Sequence, residues 1–84
     1  MFDIVLERSA EKDLRKLNDK VHDRIIESIS TLADNPRPPG VKKLAGTTND
    51  CRIRVGDYRV LYEIADSVRI VRVYRVRHRK DVYK

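Results

Sequence analysis

The sequence predicts an α+β domain: one N-terminal strand, a helical hairpin, then an antiparallel meander of three to four strands, with both helices on one face of the sheet. Three observations carry this. Apolar residues recur at helical spacing in two stretches between residues 10 and 33. After residue 50 the pattern becomes strand-like, with β-branched and aromatic residues in short runs. Gly56-Asp57 and Asp66-Ser67, pairs that favour tight turns, divide those runs. At 84 residues the chain is expected to form a single domain, residues 1–84. A chain of this size buries roughly 60–65% of its unfolded surface, so its core is thin and has no room for a deep cofactor cavity.

Each element follows from its residues. Phe2 to Glu7 is short, apolar and partly β-branched, and reads as a strand. Ser9 is the expected N-cap of the first helix, with Glu11 adding negative charge to its first turn and Ala10, Leu14 and Leu17 forming its apolar stripe. Asn18-Asp19 breaks that pattern, and Asp19 is expected to cap a second helix whose stripe is Val21, Ile25, Ile29 and Leu32. Asn35-Pro36-Arg37-Pro38-Pro39-Gly40 cannot continue a helix and forms a stiff loop. Val41 to Leu44 offers a short strand or turn, and Gly46 to Asp50 a further loop. Cys51–Val55, Tyr58–Ala65 and Val68–Val76 are the strands of the meander, and Arg77 to Lys84 ends in a turn of helix. Two helices cover one face of such a sheet and leave the other partly open.

Charge is distributed unevenly. Residues 52–84 hold ten Lys/Arg and four Asp/Glu, whereas residues 1–51 hold nine of each, so the whole net charge of +6 lies in the second part. Arginine supplies eight of those ten cations. A planar guanidinium binds phosphate bidentately and keeps its charge near neutral pH, so the pattern points to a phosphate-rich partner, nucleic acid first. Arg52 and Arg54 alternate with Ile53 and Val55 and so share a face. By the same alternation Arg69, Arg75 and Arg77 share a face with Val71 and Val73. Tyr58 and Tyr62 fall on one strand face with Val60 and Ile64 and read as core. Tyr74 fits either core or surface, and Tyr83, next to the last residue, fits a functional contact such as stacking on a base.

Other chemistries are disfavoured. Cys51 is the sole cysteine, so no internal disulfide is expected, in keeping with a reducing cytoplasm. Two histidines, His22 and His78, have no partners at metal-ligand spacing, so neither a metal nor a cofactor is expected. No apolar run is long enough to span a membrane and no signal peptide is visible.

Three segments in order bring a family into view: Cys51-Arg52-Ile53-Arg54-Val55, Asp57-Tyr58-Arg59-Val60-Leu61-Tyr62-Glu63, and the ending Arg77-His78-Arg79-Lys80-Asp81-Val82-Tyr83, with Lys43-Leu44-Ala45-Gly46 ahead of them. With these the chain resembles, over its whole length, the RelE/ParE superfamily of type II toxins, and the RelE branch in particular. The resemblance implies a ribosome-dependent, metal-independent endoribonuclease that cuts mRNA in the ribosomal A site. In that reaction a 2′-hydroxyl attacks the adjacent phosphate and the 5′-oxygen of the next nucleotide leaves. The work divides into taking the 2′-OH proton, stabilising the phosphorane charge and supporting the leaving oxygen.

Residue by residue, the resemblance places the family's basic pair on Arg52 and Arg54, where many relatives have lysine. Arginine there favours charge stabilisation over a general-base role. It places the phosphate-holding arginine on Arg59, the arginine that supports the leaving group on Arg77, and the terminal tyrosine, which stacks on a base or orients the 2′-OH, on Tyr83. His78 is either a general base or a residue facing away from Arg77 and Arg79. Arg75, Arg79, Lys80, Lys42 and Lys43 are expected contacts to RNA or the ribosome, including 16S rRNA. The resemblance also implies a cognate, RelB-like antitoxin. Two alternatives use the same fold: a ParE-like inhibitor of DNA gyrase, and a non-catalytic or degenerate RNA-binding module.

Overall fold

The structure, a computed structural model, describes residues 1–44, 46 and 49–82. The elements are β1 (Asp3–Leu6), α1 (Arg8–Arg15), α2 (Asp19–Thr31), β2 (Lys42–Lys43), β3 (Asp50–Val55), β4 (Tyr58–Ala65), β5 (Ile70–His78) and α3 (Arg79–Val82), with a 3₁₀ turn over Asp66–Val68. One five-stranded sheet runs in the order β1-β5-β4-β3-β2. The meander is antiparallel throughout, and β1 joins it parallel to β5. The meander thus has four strands, and β1 extends the sheet to five.

The core lies between the sheet and the two long helices. Ala10 and Leu14 of α1 and Ile25 and Ile29 of α2 are buried against Ile53, Val60, Ile64, Val71 and Val73. Tyr62 is fully buried, and its hydroxyl donates to Pro36 O at 2.7 Å, fastening the proline loop to the sheet. Burial pushes its phenol well above the ordinary range. Tyr58, on the same face, packs at the margin of the core.

Both helix starts come earlier than expected, the first by two residues and the second by one. Glu7 precedes α1 as its N-cap residue and makes no side-chain cap bond, so Ser9 lies inside the first turn and is free for another partner. Asn18, not Asp19, caps α2, its side chain accepting from Val21 N at 3.0 Å, while Asp19 supplies negative charge to the first turn. Gly56-Asp57 closes a two-residue hairpin, with Val55 opposite Tyr58 and Gly56 at φ +61, the left-handed region that glycine enters without steric cost. The next connection is longer than a tight pair: the 3₁₀ turn and Arg69, at φ 54, delay β5 until Ile70. The guanidinium of Arg37 grips the Asp66 carboxylate of this turn with two bonds, at 2.9 and 3.1 Å.

One irregularity decides what β5 presents. Leu61 faces Arg75, but Tyr62 faces Val73, so Tyr74 is an extra residue in a β-bulge. Ahead of it Val71 and Val73 point to the core; beyond it the buried residue is Val76. Arg75 and Arg77 therefore lie on the face opposite Val71 and Val73, which corrects the unbroken alternation expected from sequence.

Candidate nucleic-acid interface

Residues directly opposite each other in an antiparallel pair share a sheet face. Arg54 is opposite Arg59, and Arg59 is opposite Arg77, so three arginines stand in a row across β3, β4 and β5 on the face that the helices leave open. Arg52 lies two residues before Arg54 on the same face, and Lys42 of β2 is opposite Arg52. Gly40, Lys42, Arg52, Arg54 and Arg59 line a cleft of about 190 Å³. A neighbouring hollow of about 220 Å³ is lined by Arg54, Arg59, Arg79 and Lys80. The two share Arg54 and Arg59, and among the described residues no acidic one lines either.

Like charges are gathered here. The sharpest sign of this is Arg59, whose Nη1 is buried and has no hydrogen-bond partner among the described residues. A buried guanidinium N–H left unmade is costly, and an anion seated beside it removes that cost. Arg54 is steadied by donating from Nε to Gly56 O at 3.2 Å, so the hairpin turn also aims this side chain. Arg79 N donates to Asp57 O at 2.7 Å, which anchors α3 to the same turn and brings Arg79 and Lys80 over the hollow.

The other expected residues fall elsewhere. His78 is opposite Tyr58 and so projects from the face opposite Arg77. Its ring meets the Tyr58 ring edge-on, centroids 5.2 Å apart at 84°, and its Nδ1 accepts from Lys80 N at 3.2 Å. Arg75 is on the open face, but its Nε lies 3.0 Å from Asp13 Oδ2, so its charge is compensated. Lys43 is opposite Cys51, on the other side of β2 from the cleft, and is exposed. The Cys51 thiol is held above its ordinary value, chiefly by burial. Tyr83 lies outside the described residues.

The opposite end of the open face is different in sign. Glu7, Ser9, Asp50, Glu63, Arg72, Tyr74 and Arg75 border a shallow depression of about 530 Å³. Arg72 bridges Glu63 at 2.8 Å and Glu7 at 3.5 Å, and Asp50 stands opposite Glu63. Burial, then the charges of Asp50 and Glu63, raise the Tyr74 phenol above its ordinary value. Among the described residues no His, Cys, Asp or Glu side chains gather into a metal-holding group, and no helix is long and apolar enough to cross a membrane.

Sequence reasoning did not find the two side chains that manage the bulge. Ser9 Oγ donates to Tyr74 O at 2.6 Å, and Asp13 Oδ2 accepts from Val76 N at 2.9 Å. The available signal was the spacing of the apolar residues of β5, Val71, Val73 and then Val76, with Tyr74-Arg75 inserted where one residue would keep the alternation.

Comparison with known proteins agrees with this fold. Residues 4–83 match the family model described as the ParE toxin of the type II toxin–antitoxin system parDE. The putative toxin RelE1 of Methanocaldococcus jannaschii is 30% identical over 99% of this chain and 96% of its own length. Toxin RelG of Mycobacterium tuberculosis is 35% identical over 90% of this chain and 88% of its own length. Among solved structures, the archaeal RelE–RelB complex from Pyrococcus horikoshii superimposes with a TM-score of 0.83 at 26% identity, covering 93% of this chain and 94% of that one. The isolated Escherichia coli RelE toxin gives 0.82 at 25% identity, covering 99% and 92%.

Proposed function

We propose, given that the chain belongs to the ParE toxin family of type II toxin–antitoxin systems and is a RelE-like toxin of that superfamily, that its arginine cleft is the reaction site of a metal-independent endoribonuclease acting on mRNA in the ribosomal A site. The observation that carries this reading is the unpartnered, buried Nη1 of Arg59 in a row with Arg54 and Arg77. Arg54 and Arg59 line both hollows and can meet one phosphate from two sides, with Arg77 on the next strand of the same face.

In this reading Arg59 holds the scissile phosphate. Arg52 and Arg54 neutralise the charge that grows on its non-bridging oxygens as the 2′-oxygen bonds to phosphorus. Arg77 supports the 5′-oxygen as its bond to phosphorus breaks, leaving a 2′,3′-cyclic phosphate and a 5′-hydroxyl. Tyr83 stacks on a base or orients the 2′-OH. Arginine keeps its proton near neutral pH, so the row binds and neutralises and does not take the 2′-OH proton. Lys42 and Lys80, which line the two hollows, add cationic charge beside the row. His78, on the other face, is read as a support for α3. Arg79, Lys80 and Lys42 also serve as contacts to mRNA or 16S rRNA, with Lys43 and Arg75 at the margin.

The partner is a RelB-like antitoxin, since several structural neighbours are toxin–antitoxin complexes, and the place of action is the cytoplasm, where translating ribosomes are. Primer-extension mapping of mRNA ends after induction tests the function. New ends that require ribosomes are expected; their absence overturns it. The family description favours one other reading, a ParE-like poison of DNA gyrase. That reading predicts DNA breaks and an SOS response with mRNA intact.

A further inference from the structure

The bulge in β5 is held open by α1, and the outward-facing backbone groups of β5 show how. Before the bulge those groups belong to odd-numbered residues: Arg69 O accepts from Asp3 N and Val73 O accepts from Glu7 N, both at 2.9 Å. Beyond it they belong to even-numbered ones, Tyr74 O and Val76 N. β1 has ended by then, so no strand is present to pair with them. Ser9 and Asp13, one turn apart on α1, take the place of that strand: the Ser9 hydroxyl covers Tyr74 O and the Asp13 carboxylate covers Val76 N. Asp13 also pairs with Arg75, the residue between them, through Nε at 3.0 Å and Nη2 at 3.2 Å. Its side chain is only 12% exposed.

The bulge is what turns Arg77 toward Arg59. Without the extra residue, Arg77 would share the face of Val71 and Val73 and point away from the cleft. We propose that Ser9 and Asp13 are positioning residues for Arg77: from outside the reaction site they hold the bulge whose one-residue shift completes the arginine row. This inference rests on the nuclease reading for its kinetic consequence, whereas its structural part stands apart from that reading.

The test uses Ser9→Ala, Asp13→Ala and Asp13→Asn, alone and combined with Arg77→Ala, in single-turnover and steady-state cleavage of mRNA on programmed ribosomes. Displacing a group by about an ångström costs on the order of a hundredfold, so Asp13→Ala is expected to lower kcat by about that factor with KM little changed. Ser9→Ala gives a smaller loss of the same kind. Asp13→Asn, which keeps an oxygen for Val76 N, recovers most of the rate. In the Arg77→Ala background Asp13→Ala costs nothing further, because the group it positions is gone. Losses that multiply in that background, or a kcat unchanged in Asp13→Ala, overturn the proposal. In parallel, hydrogen exchange at the Val76 amide and proton contacts between the Arg59 and Arg77 side chains are read by NMR in each folded variant. Loss of those contacts in Ser9→Ala or Asp13→Ala is expected, and their full retention overturns the proposal. Should the wild-type protein cleave no mRNA, the nuclease reading fails, and the NMR arm still decides the role of the clamp. If Asp13→Ala does not fold, Ser9→Ala, a favourable residue inside a helix, carries the same comparison.

Discussion

At the scale of single residues, the contrast between Arg59 and Tyr62 separates function from stability. Both lie on β4, on opposite faces. Arg59 has a buried nitrogen with no partner among the described residues, while Tyr62 has a buried hydroxyl that donates to Pro36 O. Arg59→Ala is expected to leave folding nearly intact and to lower kcat/KM for ribosome-bound mRNA by about a hundredfold to a thousandfold, the range for removing one preorganised donor to developing charge. Single-turnover cleavage measures it. Tyr62→Phe is expected to do the reverse. It strands Pro36 O and lowers stability by about 1–2 kcal/mol, read as a shift in urea midpoint at unchanged slope, with the chemistry unaltered. Asp66 gives a pH signature. Its hydrogen bond with Arg37 holds the carboxyl below its ordinary value of 3.8. The stabilisation is thus complete above that ordinary value and is lost as pH falls through the lower, folded-state value. Asp66→Asn removes this dependence, so the difference in urea midpoint between it and the wild type shrinks as pH is lowered through that window.

At the scale of elements, the parts legible in sequence were those set by local pattern. β4 runs over Tyr58–Ala65 as its alternation predicts, and the Gly56-Asp57 hairpin lies where its turn chemistry puts it. Arg52, Arg54 and Arg59 share the open face because their strands alternate without interruption. What was not legible depends on long-range contacts. Ser9 looks like a cap in isolation, yet its hydroxyl is taken by Tyr74 O, 65 residues away in sequence. β5 reads as a run of arginine and valine with an ambiguous phase, and the phase is set by a helix packed on its edge. The placement of Arg77 was therefore beyond reach of local periodicity. The hairpin turn makes its own prediction. Gly56→Ala puts a side chain at φ +61, with its Cβ 3.2 Å from Arg24 Nη1. A loss of about 1 kcal/mol is expected, measured by thermal unfolding. Because Arg54 Nε bonds to Gly56 O, a fall in cleavage rate should accompany it.

At the scale of the whole molecule, the net charge of +6 says little until it is resolved in space. If the cleft engages about four phosphates of single-stranded RNA, log K should fall with log salt at a slope near −3, and Arg59→Ala should reduce that slope by about 0.7. Fluorescence anisotropy across a salt series measures both. The two ends of the open face act together. Arg54 and Asp50 sit four residues apart on one strand, a separation of about 13 Å. Each unit of opposite charge held at that distance contributes a dipole moment of roughly 60 debye along β3. An approaching polyanion exerts a torque on such a dipole before any contact forms. On the nuclease reading, the protein should therefore meet its negatively charged target already rotated, Arg54 leading and Asp50 trailing, with the orientational search shortened as in other steered encounters.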